Sequence, residues 1–117
     1  MEKKDIQNEA DILNLVKHFY NYLLEDTEIN HFFLDLDLEE HLPRVASFWE
    51  FILLNKEGYK VNVMEKHMHL PIKKADIYRW LGHFKTSVDD LFEGETAEFA
   101  KSRADLISKT FEIKFPN

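Results

Sequence analysis

The stretch Ile77-Tyr78-Arg79-Trp80-Leu81-Gly82-His83-Phe84-Lys85-Thr86-Ser87-Val88-Asp89-Asp90-Leu91 decides the fold class. Ile77, Trp80, Leu81, Phe84, Val88 and Leu91 recur in the three- and four-residue rhythm that puts side chains on one face of a helix. No strand pattern gives that spacing. Working outward, Gly94 predicts a helix stop, because glycine ends helices without steric cost. Thr96 then suits the cap of a last helix, whose expected face is Phe99, Arg103, Leu106, Ile107 and Phe111. In the other direction, residues 59–72 are the least periodic part of the chain. Val63 to Leu70 reads as a short helix that Pro71 prevents from continuing.

Two further helices precede that segment. Ile12, Val16, Phe19, Tyr20 and Leu23 form one stripe, opened by Asn8, Glu9 and Asp11, which supply acceptors and negative charge where a helix has free N–H groups. Asp26-Thr27 ends it, and Ile29 to Leu34 gives a short apolar piece holding Phe32 and Phe33. Leu42, Val45, Phe48, Trp49, Ile52 and Leu53 form the second stripe. Pro43 has no N–H, so it belongs in a first turn, and this predicts a helix start near Glu39 to Leu42. Asn55-Lys56-Glu57-Gly58 reads as a loop. No repeat, linker or strand hairpin interrupts the series. The class is all-α, in a single domain over residues 1–117.

Composition narrows the chemistry. The chain has 10 Phe against 3 Gly and no Cys. Gly58, Gly82 and Gly94 stand too far apart for a dinucleotide fingerprint or a P-loop. Without Cys there is no disulfide, thiolate nucleophile, iron–sulfur cluster or covalent haem attachment, and a reducing cytoplasm is the compatible setting. No apolar run approaches the roughly 20 residues of a membrane span. The net charge of −7 argues against nucleic acid and anionic membrane as partners. The charge is lopsided: the first half, up to Gly58, is strongly acidic, and the second is near neutral.

Six His are the available metal ligands: His18, His31, His41, His67, His69 and His83. His67 and His69 cannot both face one ion from a helix, because positions two apart point about 200° apart. Glu28-Ile29-Asn30-His31 is a single E-x-x-H, whereas a di-iron bundle needs two such motifs and two more Glu. No G-x-S-x-G surrounds a serine. Aromatics and histidines instead follow one another in a definite order: Phe19-Tyr20, Phe32-Phe33, His41, Phe48-Trp49, Lys66-His67-Met68-His69-Leu70-Pro71, Trp80 and Phe84.

That order resembles the group III truncated haemoglobins of bacteria, from about Asp11 to Phe111. The most specific match runs from Tyr59 through Lys66-His67-Met68-His69-Leu70-Pro71 to Trp80-Leu81-Gly82-His83-Phe84. Glu40-His41 with Ser47-Phe48-Trp49 gives a second match, and His18-Phe19-Tyr20 a third. The resemblance implies a truncated globin, a two-over-two helical sandwich around a non-covalent haem b. It implies His67 as the proximal iron ligand, Tyr20 and Trp80 as distal donors, and His41 at the distal histidine position. Phe33 would wedge against the haem face. Phe19, Phe48 and Phe84 would wall the pocket, with Trp49 and Ile107 beside them, and Lys66 and Arg44 would be the cations near the propionates. His69 matches no ligand.

The implied function is binding of dioxygen, and of carbon monoxide, nitric oxide or peroxide, with an unidentified reductase as partner. Nitric oxide detoxification and peroxidase-like turnover are compatible with the same residues. Pro43 adds an expectation of its own. It disfavours helical geometry at Leu42, which predicts His41 at the helix start, swung outward as a gate. Read without the resemblance, the residues also allow a cofactor-free helical interaction module with an acidic partner-facing half, or a di-iron carboxylate protein.

Overall fold

The computed structural model describes residues 3–55 and 71–114. Among the described residues four helices follow in order: α1 (Glu9–Glu25), α2 (Leu38–Leu54), α3 (Lys74–Leu91) and α4 (Glu95–Lys114), with one 3-10 turn at Asn30–Phe32. No strand occurs among the described residues. α1 pairs with α2, α3 pairs with α4, and α1 lies across α3. Two stacked helix pairs make an all-α sandwich; the periodicity anticipates the helices, and the resemblance implies their two-over-two arrangement. No helix among the described residues is long and apolar enough to cross a membrane.

α1 begins where its sequence says it should. Asn8 is extended and its side chain accepts from Asp11 N at 2.9 Å. Asp11 is itself held by Lys4 Nζ at 2.6 Å and Gln7 N at 2.9 Å. The helix then buries Ile12, Leu15, Val16, Phe19, Tyr20 and Leu23 as one stripe.

α2 begins at Leu38, one residue before the expected Glu39 to Leu42 start, but Pro43 lies inside it, past the first turn where it was expected. Leu42 is helical despite the pre-proline preference. The turn is already closed by His41 N on Asp37 O at 2.8 Å. Pro43 therefore removes one hydrogen bond, to the Glu39 carbonyl, in a helix otherwise secured by burying Ala46 and Trp49. α2 ends at Asn55, which adopts the left-handed conformation with φ 56°, a conformation asparagine tolerates better than most residues.

The last helix corrects two readings. Its buried face is Ala97, Ala100, Ala104 and Ser108, with Ile107 packed alongside. Phe99 and Leu106 are 47% and 51% exposed. Small residues let α4 lie close against α3, and the bulky ones fall on the outer side. Nor is Thr96 the cap. The Asp5 carboxylate accepts from Thr96 N at 2.9 Å and Ala97 N at 2.8 Å. Gly94, at φ +143°, permits this approach, since a Cβ there would lie 2.5 Å from Asp5 Cγ.

The core is aromatic and joins three helices. Phe84 stacks on Trp49 with centroids 4.5 Å apart and planes 15° from parallel. Phe19 meets Phe84 edge-on at 5.2 Å. Offset and edge-on pairs of this kind add about 0.5–1.5 kcal/mol each beyond area burial. Much of the Phe content is thus plain core.

Candidate functional site

The site is built outward from Tyr20. Its place in the α1 stripe buries the ring to 6% exposure. Its hydroxyl lies 2.8 Å from His41 Nε2 on α2. Three rings stand edge-on around it: Phe19 at 5.6 Å, Phe33 at 5.6 Å and His41 itself at 5.4 Å. Burial pushes the phenol well above its ordinary range, so the hydroxyl keeps its proton at neutral pH. The result is a neutral donor paired with an imidazole inside an aromatic enclosure, where hydrogen bonds are electrostatically stronger than in water.

His41 is half-buried and turned toward Tyr20 rather than outward. The gate position expected from Pro43 does not occur. Helix formation through Leu42 carries His41 onto the face that meets α1, and the hydrogen bond holds it there.

Trp80, half-buried on α3, reaches the same cluster through Phe19, with centroids 5.7 Å apart. It also lies parallel to Phe84 at 6.1 Å. Phe19 therefore separates the two donors Tyr20 and Trp80 and touches both. The Trp80 indole N–H donates to none of the described residues.

The other anticipated residues divide. Phe33 is at Tyr20, and Phe84 is enclosed between Trp49 and Trp80. Phe48 is half-buried and meets Trp49 edge-on at 5.4 Å. Trp49 is core, and Ile107 packs against that core from α4. Arg44 points to the surface and pairs with Glu40 one turn back. Lys66, His67 and His69 lie outside the described residues, as does the segment Val63 to Leu70 that the sequence reads as a short helix. Glu28 and His31 join no group of three His, Asp or Glu able to hold a metal among the described residues.

One constellation escaped sequence reasoning. Asp26, at the end of α1, accepts from Arg79 Nε and Nη2, each at 2.9 Å, and lies 2.7 Å from His83 Nε2. The only sequence signal was the four-residue spacing of Arg79 and His83, which puts them on one face. Beside them, Tyr22 stacks on His83 at 5.8 Å and donates to Asp90, which also meets His18 Nε2 at 2.8 Å.

Comparison with known proteins gives a consistent picture. The family model for bacterial-like globins matches residues 4–112. A group 3 truncated haemoglobin of Campylobacter jejuni is 25% identical over 112 residues, covering 90% of this chain and 88% of the relative. The crystal structure of a group III truncated haemoglobin from Campylobacter jejuni superposes with a TM-score of 0.86 at 25% identity, covering 94% of this chain and 92% of that one. A truncated oxygen-avid haemoglobin from Bacillus subtilis gives 0.75 at 24% identity, covering 88% of this chain and 92% of that one, and shares the fold.

Proposed function

The chain belongs to the bacterial-like globin family, as a truncated haemoglobin of group III type, and from that premise we propose that it binds dioxygen reversibly at a haem b held by His67. Membership implies a haem-binding globin; the ligand and the residue roles are part of the proposal. The residues fit such a group. An apolar enclosure of Phe19, Phe33 and Phe84 carries two neutral donors, Tyr20 and Trp80, and the indole N–H of Trp80 is unused by any described residue. Haem supplies an iron that binds diatomic gases and lends them negative charge. What the chain supplies is a place for that charge.

The observation that carries the reading is the Tyr20–His41 hydrogen bond at 2.8 Å. Tyr20 has one proton to give. If it donates to His41, His41 carries its own proton on Nδ1 and the phenol offers a ligand nothing. If His41 donates from Nε2, the Tyr20 proton is free to face the pocket. The second arrangement is the one that serves a ligand, and it makes His41 the residue that aims Tyr20. A ligand that gains charge on binding benefits from such a donor, and carbon monoxide benefits less. Slow oxygen release follows. Nitric oxide detoxification or peroxidase-like turnover would draw on the same two donors and on an external reductase. The Cys-free sequence supports a cytoplasmic setting.

The test is a haem spectrum of the purified protein with dithionite, carbon monoxide and oxygen. His67→Ala should abolish the Soret band; an unchanged band removes His67 from its role. Tyr20→Phe should speed oxygen release roughly tenfold to hundredfold, the equivalent of one good donor at about 1–3 kcal/mol. An unchanged off-rate would show that the hydroxyl is not the donor.

A further inference from the structure

Asp26 occupies a poor place for a carboxylate. It caps the C-terminus of α1, the negative end of the helix dipole, and no basic residue lies in that helix's last turn. Its side chain is only 6% exposed. The charge is held instead by α3, through the two-pronged Arg79 contact and His83, with Glu28 N at 3.0 Å as a further donor. The Arg79 hydrogen bonds hold the Asp26 carboxyl well below the usual carboxylate range, against the opposing effect of burial and with help from His83. The lowered pKa means that the charge favours the fold at neutral pH, but the Arg79 side chain is half exposed and solvent screening keeps the net contribution small. The contact does fix orientation. A planar guanidinium bound through two N–H groups has one geometry.

The neighbours of that contact explain what orientation is worth. Arg79 and His83 precede Trp80 and Phe84 by one residue each, and a one-residue step turns a helix about 100°. The seam between α1 and α3 therefore has two rows. The outer row is Asp26, Arg79 and His83, continued by Tyr22, Asp90 and His18. The inner row is Phe19, Trp80 and Phe84, which touch through edges and faces alone. Ring contacts fix the spacing of the two helices but carry no directional hydrogen bond across the seam. With side chains about 5–6 Å from the helix axis, a 20° turn of α3 would carry the Trp80 ring about 2 Å. That is several times the ~0.5 Å width of a good hydrogen-bond distance range.

We propose that Asp26 and Arg79 are a positioning pair. Their fork sets the rotation of α3 against α1 and thereby the placement of the Trp80 indole relative to the Tyr20 hydroxyl. The inference rests on the reading of Trp80 as a distal donor.

The test uses the haem-loaded full chain and compares Arg79→Lys with the parent, each with Trp80 intact and with Trp80→Phe. Lysine keeps the charge and loses the fork. Oxygen off-rate, the Trp80 indole N–H resonance in the carbon monoxide-bound protein, and the melting midpoint are measured. Arg79→Lys should speed oxygen release about three- to tenfold and shift the resonance, while melting stays within about 3 °C. In the Trp80→Phe background the effect on release should disappear. The inference is overturned if Arg79→Lys leaves rate and resonance unchanged while Trp80→Phe speeds release, or if its effect is equal in both backgrounds. Should Trp80→Phe itself leave release unchanged, the donor role of Trp80 fails. Positioning is then decided by the resonance alone: a shift supports it and a fixed line overturns it.

Discussion

Replacing Asp5 with alanine should loosen the start of α4 while leaving the pocket chemistry intact. The carboxylate accepts three backbone N–H groups: Ile6 at 2.8 Å, Thr96 at 2.9 Å and Ala97 at 2.8 Å. Glu93 N also donates to Lys4 O at 3.0 Å, so the chain's beginning is stitched to the α3–α4 corner. An ordinary cap is worth about 1 kcal/mol, and a charged acceptor serving two helix N–H groups belongs near the upper end, about 2 kcal/mol. For a domain of this size about 1 kcal/mol corresponds to about 4 °C. The expected loss is therefore about 8 °C at neutral pH by circular dichroism melting. Oxygen release should stay within about twofold, because none of these bonds touches Tyr20, His41 or Trp80.

The pH dependence of that loss has a definite sign. Burial raises the Asp5 pKa, but the N–H groups of Thr96, Ala97 and Ile6 outweigh it, and the net shift is downward. A carboxyl with a lowered folded pKa stabilises fully above the ordinary aspartate range near ~4, and less as pH falls below it. The gap between parent and variant should be widest at pH 7 and narrow on acidification through about pH 4 to 3. Gly94→Ala should destabilise at least as much, since its Cβ would displace Asp5 and φ +143° is strained for alanine. A variant that melts with the parent at pH 7, or a gap that widens in acid, would refute the cap.

Two further substitutions probe particular places. Pro43→Ala restores an N–H to the Glu39 carbonyl in the second turn of α2 and should raise the melting midpoint by about 2–4 °C, worth roughly 1 kcal/mol; a lower midpoint would mean the proline is needed for the helix entry. Ser108→Ala removes a buried Oγ with no hydrogen-bond partner among the described residues and should be neutral or stabilising by up to about 1 kcal/mol in urea titration, so a clear loss would reveal a partner for that hydroxyl.

What could be read from the sequence is what a segment decides about itself. The α1 and α3 stripes were legible because large apolar residues recur at helical spacing within one stretch, and Asn8 caps its own helix. α4 was legible as a helix but not as a face. Its contact with α3 is made by Ala97, Ala100 and Ala104, whose small size is the point of the contact and whose hydrophobic signal is weak, while Phe99 and Leu106 dominate the pattern from outside. Its cap could not be read at all, because the acceptor lies 91 positions away from Thr96. Local sterics likewise turned His41 outward, and a hydrogen bond to a residue 21 positions earlier turns it back. The site is made of such non-local choices. The order of Tyr20, His41 and Trp80 was available only through resemblance, which carries information about contacts that periodicity does not contain. Even resemblance passed over Asp26 and Arg79, which are 53 positions apart and look, taken singly, like a helix end and a solvated charge. Their meaning comes from the contact itself. A carboxylate shielded from water at the negative end of a dipole is held by partners on another helix at little net gain in stability, and what that arrangement returns is the fixed orientation of the helix that carries Trp80.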